Sequence, residues 1–240
     1  MVFFSFQRGI EDNLVSIILP YVVWSVIVFL IIKYNTLIRL SKRENVLRYS
    51  LALFAATLEI IFYVWQLIRT NFDMMDFLFK ETMIPLHVCA MALWFSVYSA
   101  LTLNRKIFAI GLFLAMTGTP ITIIAGSVDY SLDRFRYWHF YLVHIFSFSI
   151  FIYLFFVNQL EIRCDDFKLA VRYLALMAFC VALPLNIIFG SNFMYLYNAY
   201  DSPIENFPKI WTIFIMSGVA IGFFFIVNKI FLYLNKIKIH

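Results

Sequence analysis

The sequence predicts an all-α fold, a polytopic integral membrane bundle of about seven transmembrane helices that forms a single domain over residues 1–240. Hydrophobic residues make up 63% of the chain and charged residues only 14%, which leaves too little polar surface to cover a water-soluble domain. Several apolar runs approach the roughly 20 residues that a helix needs to cross a bilayer. The basic residues lie at the ends of these runs, as membrane topology requires.

The predicted spans follow one another with short connections. The first is too long for a typical signal-peptide core, and no clear cleavage site follows it, so we expect it to be a retained helix. The third has Pro85 near its first turn, where a missing N–H costs no hydrogen bond. The fourth is the weakest, because residues 117–120 (TGTP) interrupt it. The spans are predicted at about residues 14–32, 47–68, 83–101, 107–126, 135–157, 169–190 and 210–234.

The distribution of basic residues predicts the orientation. With seven spans, most of the 19 lysines and arginines fall on the side that holds the C-terminus. The positive-inside rule then places the N-terminus outside and the C-terminus in the cytoplasm. We expect a multi-pass protein of the plasma membrane, namely the cytoplasmic membrane of a bacterium. The net charge of +5 thus reflects topology, so we expect membrane lipids and no nucleic acid as partners. The sequence predicts no oligomeric state.

Polar side chains inside the predicted spans are the first candidates for a functional site, because they are costly in lipid. Glu59 is the acid of the second span, with Gln66 two turns further on nearly the same face. It is open to four interpretations: a partner for a catalytic histidine, a proton carrier, a cation ligand, or a protonated acid that bridges two helices. His144 lies deep in the fifth span and is a candidate general base. His139 we assign to the interfacial aromatic belt, on a different face from His144.

A second set of candidates lies at the predicted outer ends of the spans. His87 is either a site residue or an interfacial histidine bonded to a loop carbonyl. Cys89 is either an inert small hydrophobe or a nucleophile, if a base or a helix N-terminus favours its thiolate. Asn192, after the sixth span, is either an oxyanion donor or part of a helix cap, as is Asn186. The three cysteines form no zinc spacing, so we expect no metal and no other cofactor.

Four short motifs in this order resemble the YwaF-like family of bacterial integral membrane proteins, which is related to eukaryotic transmembrane protein 164. They are residues 58–59 (LE), 85–89 (PLHVC), 140–144 (FYLVH) and 190–195 (GSNFMY). The eukaryotic relative is described as an acyltransferase that moves a fatty acyl chain between phospholipids with a cysteine and a histidine. More distantly, the chain is similar to membrane hydrolases of fatty-acid esters, which use a threonine and a histidine. The resemblance implies that His144 is catalytic and that Glu59, His87 and Asn192 line the pocket.

This chain differs from the family motif at the position of the nucleophile. The cysteine of the eukaryotic motif directly precedes the histidine, and Leu86 stands at that position here. Cys89 lies three residues further on, about one helical turn or 5 Å away, which is a large displacement for a catalytic group.

Two functions remain open on this basis. The first is a lipid-modifying acyltransferase or lipid-ester hydrolase whose site opens to the outer half of the bilayer, with catalytic His144, Cys89 and His87 and substrate-binding Glu59, Asn192 and Gln66. The second is a small-solute or proton-coupled transporter, or a receptor-like protein, that uses the histidines and Glu59 without covalent chemistry. A metal site built from the same side chains has no recognised ligand spacing.

Overall fold

The computed structural model describes residues 3–6, 14–125, 130–196 and 208–238. Within these ranges the chain is helical with short connections and contains no β-strand. Each predicted span falls on one helix, which confirms the all-α fold class. The helices are α1 Leu14–Arg39, α2 Glu44–Arg69, α3 Val88–Thr102, α4 Arg105–Ala125, α5 Phe135–Phe156, α6 Asp166–Phe189 and α7 Lys209–Lys238.

Length and composition make this a multi-pass membrane protein. In the described part of the chain, six helices are long and apolar enough to cross a bilayer, and α3 is a shorter apolar helix. The centre of the bundle consists of α4 and α5, which are the most buried of the six. Helix α3 packs against α2, α4 and α5, while α1 covers α5 and α7 packs on α4 and α6. Many large apolar side chains of α1 and α7 face outward, as expected of helices in contact with lipid.

Helix α3 begins later than the sequence predicts. It starts at Val88 rather than Met83, with His87 in extended backbone at its N-cap. Its 15 residues measure about 22 Å, less than the roughly 30 Å hydrocarbon core. The irregular segment of residues 82–87 therefore precedes a helix that is too short to cross the hydrocarbon core by itself. Such backbone is tolerated at membrane depth where it is buried in protein or lines a cavity.

The TGTP sequence does not interrupt α4, contrary to the prediction. The helix runs through Pro120 to Ala125, while the predicted end at Gly126 lies outside the described residues. Threonine hydroxyls bond to helix carbonyls on either side of the proline: Thr117 Oγ1 donates to the Phe113 carbonyl and Thr122 Oγ1 to the Gly118 carbonyl, both at 2.9 Å. These bonds tie both threonine side chains to their own helix, so the hydroxyl groups need no other partner.

Helix α6 carries a different irregularity. Residues Leu176–Ala182 adopt π-helical geometry before the α-helix resumes at Leu183. Pro184 follows directly and lacks the N–H that an α-helical bond to Cys180 would need, so a widened turn at this point has a local cause. Helix α6 ends at Gly190 in the left-handed conformation, where a residue without Cβ is favoured.

Polar side chains bind the helices together at the end of the bundle that holds the α1–α2 turn. The Glu44 carboxylate accepts hydrogen bonds from Arg48 at 3.2 Å, from Tyr153 at 3.1 Å and from Asn158 at 2.8 Å. Arg48 also donates to the Ala100 carbonyl, so this cluster joins α2, α3 and the end of α5. Arg105 pairs with Asp166 at 2.6 Å and joins α4 to α6.

Candidate functional site

A cavity of about 250 Å³ lies at the opposite end of the bundle, between α2, α3, α4 and α5. Residues 82–87 cover part of it, so the irregular segment before α3 lines a cavity. Many of the side chains that face it are polar, which is unusual in the interior of a membrane protein. They are Glu59, Tyr63, Glu81, Thr82, His87, Cys89, Thr122, Arg136, His139, His144 and Tyr195.

Glu59 pairs with His139, and not with His144, the histidine that the sequence proposes as the general base. Its Oε2 lies 3.0 Å from His139 Nε2, and both side chains are buried. Arg136 donates to His139 Nδ1 at 2.8 Å. Because that nitrogen accepts, the His139 proton resides on Nε2 and points at the Glu59 carboxylate. His139 thus connects the arginine to the acid.

Aromatic packing holds this chain of polar groups in place. The Phe62 ring stacks on the His139 imidazole with centroids 4.0 Å apart, and the Arg136 guanidinium lies 4.4 Å from the Phe62 centroid. The assignment of His139 to an interfacial aromatic belt is therefore wrong, because its side chain is buried against α2. The stripe of Arg136, His139, Phe140, Val143 and His144 is wide enough to bring both histidines to one cavity.

His144 has one ring nitrogen engaged and one free. Its Nδ1 donates to the Phe140 carbonyl one turn earlier in α5. This bond fixes the neutral tautomer with a lone pair on Nε2. That nitrogen accepts no hydrogen bond from the residues that the structure describes, and the imidazole lines the cavity. The arrangement is suited to taking up a proton from a bound group.

Cys89 lines the same cavity, in the first turn of α3. Its Sγ lies 3.1 Å from Thr122 Oγ1, whose own proton goes to the Gly118 carbonyl. The S–H group is therefore the donor in this contact. The first N–H groups of α3 have no acceptor within the helix, and the N-cap side chain of His87 supplies none. Cys89 thus lies at the positive end of a helix dipole.

His87 lies on the segment that covers the cavity, just before α3. Its Nε2 is 3.0 Å from Thr82 Oγ1, and the Tyr195 ring packs 5.0 Å from its own. Burial, with a smaller contribution from nearby Cys89, raises the pKa of Tyr195.

Two of the predicted binding residues do not line the cavity. Gln66 is buried at its rim, where it accepts from Arg69 Nε at 3.0 Å and donates to Glu81. Asn192 precedes a short 3₁₀ turn at Phe193–Tyr195, and its carbonyl accepts from the Tyr195 N–H. Both residues hold the segments that cover the site rather than facing into it.

Asn186 holds the second of these covering segments. From the last turns of α6, its amide bonds both backbone groups of Phe193, with Nδ2 3.1 Å from the carbonyl and Oδ1 2.8 Å from the N–H. The side chain is fully buried. Asn186 thereby holds the turn that carries Tyr195 beside His87, a contact that joins α6 to the cavity.

Sequence reasoning missed Arg136, His139 and Thr122 as cavity residues. A signal for the first two exists in the spacing. Glu59 and Phe62 are three apart on α2, as are Arg136 and His139 on α5, so each pair shares a helix face. If α2 and α5 face each other, the acid of one pair can bind a basic side chain of the other, and the phenyl ring can stack on the imidazole. Thr122 had no comparable signal, because threonine is common in membrane helices. The described residues contain no group of three or more His, Cys, Asp or Glu placed to hold a metal ion.

Comparison with known proteins places the chain in a family. The model of the TMEM164 family matches residues 3–228, nearly the whole chain, and so includes every helix that surrounds the cavity. No curated protein matches the sequence significantly, and no solved structure does either. The match agrees with the relationship to transmembrane protein 164 that the four sequence motifs indicate. This membrane protein belongs to the TMEM164 family.

Proposed function

We propose that the protein is a membrane enzyme that transfers or hydrolyses the acyl group of a lipid ester, and that the reaction takes place in the polar cavity. One observation carries the proposal. A histidine whose Nδ1 is engaged, and whose Nε2 is left as an acceptor, shares a cavity with a thiol at a helix N-terminus. General base and nucleophile are the two groups that acyl transfer requires.

The position of Cys89 supports its role as the nucleophile better than the sequence did. A helix N-terminus favours the thiolate over the thiol, because the unpaired N–H groups and the dipole are positive there. The late start of α3 puts Cys89 in this turn instead of well inside the helix. The same N–H groups are suited to stabilise the oxyanion that forms when the ester is attacked. Leu86, at the position of the family cysteine, is buried among apolar side chains.

The proposed reaction has two steps. Cys89 Sγ attacks the ester carbonyl carbon while His144 Nε2 takes up the thiol proton. The carbon–oxygen ester bond then breaks, and the leaving alcohol receives this proton from His144. In the second step His144 deprotonates an acceptor alcohol or a water molecule, which attacks the thioester. The thiol is regenerated as the new ester or free acid leaves.

The other predicted site residues have supporting roles in this scheme. His87 contributes a polar wall beside Thr82. Glu59 stabilises the tautomer of His139, which in turn orients Arg136 on α5. Gln66 and Asn192 act indirectly, by holding the segments that cover the cavity. We further propose that this end of the bundle faces outward in a plasma membrane, so that esters reach the site from the outer half of the bilayer.

The test is an activity assay in liposomes with a phospholipid that carries a fluorescent acyl chain. We expect wild-type protein to move the label to an added lysophospholipid or to release it as fatty acid. His144→Ala should lower the rate by at least about 100-fold, the lower limit for losing a general base. Cys89→Ala should abolish the thioester route. Cys180→Ala is the matched control, because this cysteine is exposed on α6, away from the cavity.

Each outcome decides between mechanisms. Full activity in Cys89→Ala would contradict the thiol mechanism and leave direct attack by an acceptor activated by His144. Full activity in His144→Ala would contradict the proposed site as a whole. Absence of any acyl turnover by the wild-type protein would favour the alternative, in which Glu59 and the histidines bind a solute or carry protons without covalent chemistry.

A further inference from the structure

The guanidinium of Arg136 is a cation, and the residues that the structure describes use only a small part of its hydrogen-bonding capacity. Its side chain lines the cavity, and one N–H donates to His139 Nδ1 at 2.8 Å. A guanidinium has five N–H donors. No carboxylate among the described residues accepts from this one. The face of the group is occupied by Phe62, with Phe140 further away at 5.8 Å, so the remaining donors lie at its edge.

The nearest acid does not neutralise Arg136 by direct contact. Glu59 accepts from Nε2 of His139, whereas Arg136 donates to Nδ1, so the imidazole ring lies between the two charges. A cation inside a membrane protein is costly unless an anion or several acceptors satisfy it. The other acid of the cavity, Glu81, is already bound to Arg69. Arg136 is thus the cavity's cation without a directly bound counter-ion among the described residues.

We infer that Arg136 forms a subsite for an oxyanion, either the phosphate or the carboxylate at the polar end of a membrane amphiphile. The planar guanidinium matches two oxygens of either group with parallel hydrogen bonds. A cavity of about 250 Å³ is below the usual range for pockets that enclose a whole drug-sized ligand. It has room for a charged end group and its first carbons, while the chains remain in the bilayer.

This inference rests on the proposed function for the lipid character of the ligand, and it adds the charge that the site selects. An ester whose polar end is anchored on Arg136 would be held at α5, the helix that carries His144 two turns further on. Arg136 would then be a positioning residue that fixes the depth at which the ester enters. A neutral acylglycerol would lack this anchor.

The test measures binding and needs no turnover. Three amphiphiles with the same oleoyl chain are titrated by calorimetry into purified protein in maltoside micelles: oleate, oleoyl lysophosphatidate and monooleoylglycerol. Empty micelles correct for partitioning. We expect at least one of the two anions to bind about tenfold or more tightly than the neutral lipid, as charge-assisted bonds allow. The stronger of the two identifies carboxylate or phosphate as the preferred group.

Variants separate the subsite from general charge effects. Arg136→Gln should reduce anion affinity to the level of monooleoylglycerol without changing affinity for the neutral lipid. Arg136→Lys should retain part of the preference, because lysine keeps the charge but cannot form the two parallel hydrogen bonds of a guanidinium. Arg134→Gln is the control: this arginine lies two residues earlier, at the N-cap of α5, and pairs with Asp133 at 3.5 Å. It should keep the full preference.

Three results would overturn the inference. The wild-type protein could bind all three amphiphiles equally, or the Arg136→Gln variant could keep the preference for anions. The third is an Arg136→Gln variant whose affinity for monooleoylglycerol falls as much as its affinity for the anions. If Arg136→Gln does not fold, the wild-type comparison and Arg136→Lys still decide. A protein that prefers anions but turns over no ester would contradict the proposed function alone. One that turns over esters without any preference would contradict the anion subsite alone.

Discussion

At the scale of single residues, the site depends on which histidine each polar group meets. Glu59 and His139 form a buried pair, while His144 bonds to its own helix backbone. The two imidazoles therefore have different tasks, although both line the cavity. His139 is held from both sides and has no nitrogen to spare for a substrate. His144 keeps one, and it is the residue on which the proposed chemistry depends.

Removing one partner of the Glu59–His139 pair should be more damaging than neutralising it. Glu59→Ala leaves the buried His139 N–H without an acceptor and the charge of Arg136 without its nearest anion, and we expect the free energy of unfolding to fall by about 3–5 kcal/mol. Glu59→Gln still offers an oxygen to Nε2 and should cost clearly less. Thermal unfolding of both variants in detergent provides the comparison. Equal losses would mean that the charge, and not the hydrogen bond, stabilises the pair.

At the scale of helices, two features place the reactive groups. The start of α3 at Val88 brings Cys89 into the first turn, and the close approach of α4 to its neighbours fixes the depth of that turn. Gly118 contributes to this approach, because an added Cβ would lie 3.2 Å from Cys89 Sγ and 3.0 Å from Val88 Cγ1. The space around Gly111, two turns earlier on α4, is smaller still.

A methyl group at Gly111 should separate α3, α4 and α5. Its Cβ would overlap with Phe151 Cζ and lie 2.8 Å from Phe95 Cβ, so we expect Gly111→Ala to destabilise the protein by about 1–3 kcal/mol. Gly222→Ala on α7 is the matched control, because nothing lies within 4 Å of its added methyl group. Unfolding temperatures in the same detergent test both. A loss of similar size at Gly222 would show that the effect is not one of packing.

At the scale of the whole molecule, the two ends of the bundle have different polar character. The end with the α1–α2 turn, called here the paired end, has ion pairs at Glu44 and Asp166. The other end places a buried acid, an arginine, three histidines and a thiol around a cavity. The orientation predicted from the basic residues would direct the paired end to the cytoplasm and the cavity outward.

Cys164 offers a direct test of this orientation. It is exposed in the short connection between α5 and α6, at the end predicted to be cytoplasmic. In a variant with Cys164 as its sole cysteine, we expect a membrane-impermeant maleimide to label inside-out vesicles and not right-side-out ones. A variant with Cys180 alone, on the lipid-facing middle of α6, should resist this reagent in both and react with a lipid-soluble one. Labelling of Cys164 in right-side-out vesicles would reverse the topology.

Much of the fold could be predicted because a membrane-spanning helix can be recognised from the length and hydropathy of its sequence alone. Helix ends were less predictable. The TGTP sequence has the composition of a break, yet Thr117 and Thr122 bond to helix carbonyls and α4 continues. Residues 83–87 have the hydropathy of a span, yet they form an irregular cover over the cavity, because hydropathy measures affinity for the membrane interior and not backbone conformation.

For the site, the sequence by itself determined which groups were candidates, since a polar side chain in an apolar span is rare and costly wherever it faces. It therefore singled out Glu59, His87, Cys89 and His144, all of which line one cavity. Only the tertiary structure decided the partners. Hydrogen bonds depend on distances of a few tenths of an ångström between different helices, and neither residue spacing nor hydropathy contains them. That is why His139 and not His144 meets Glu59, and why His144 is left with a free nitrogen.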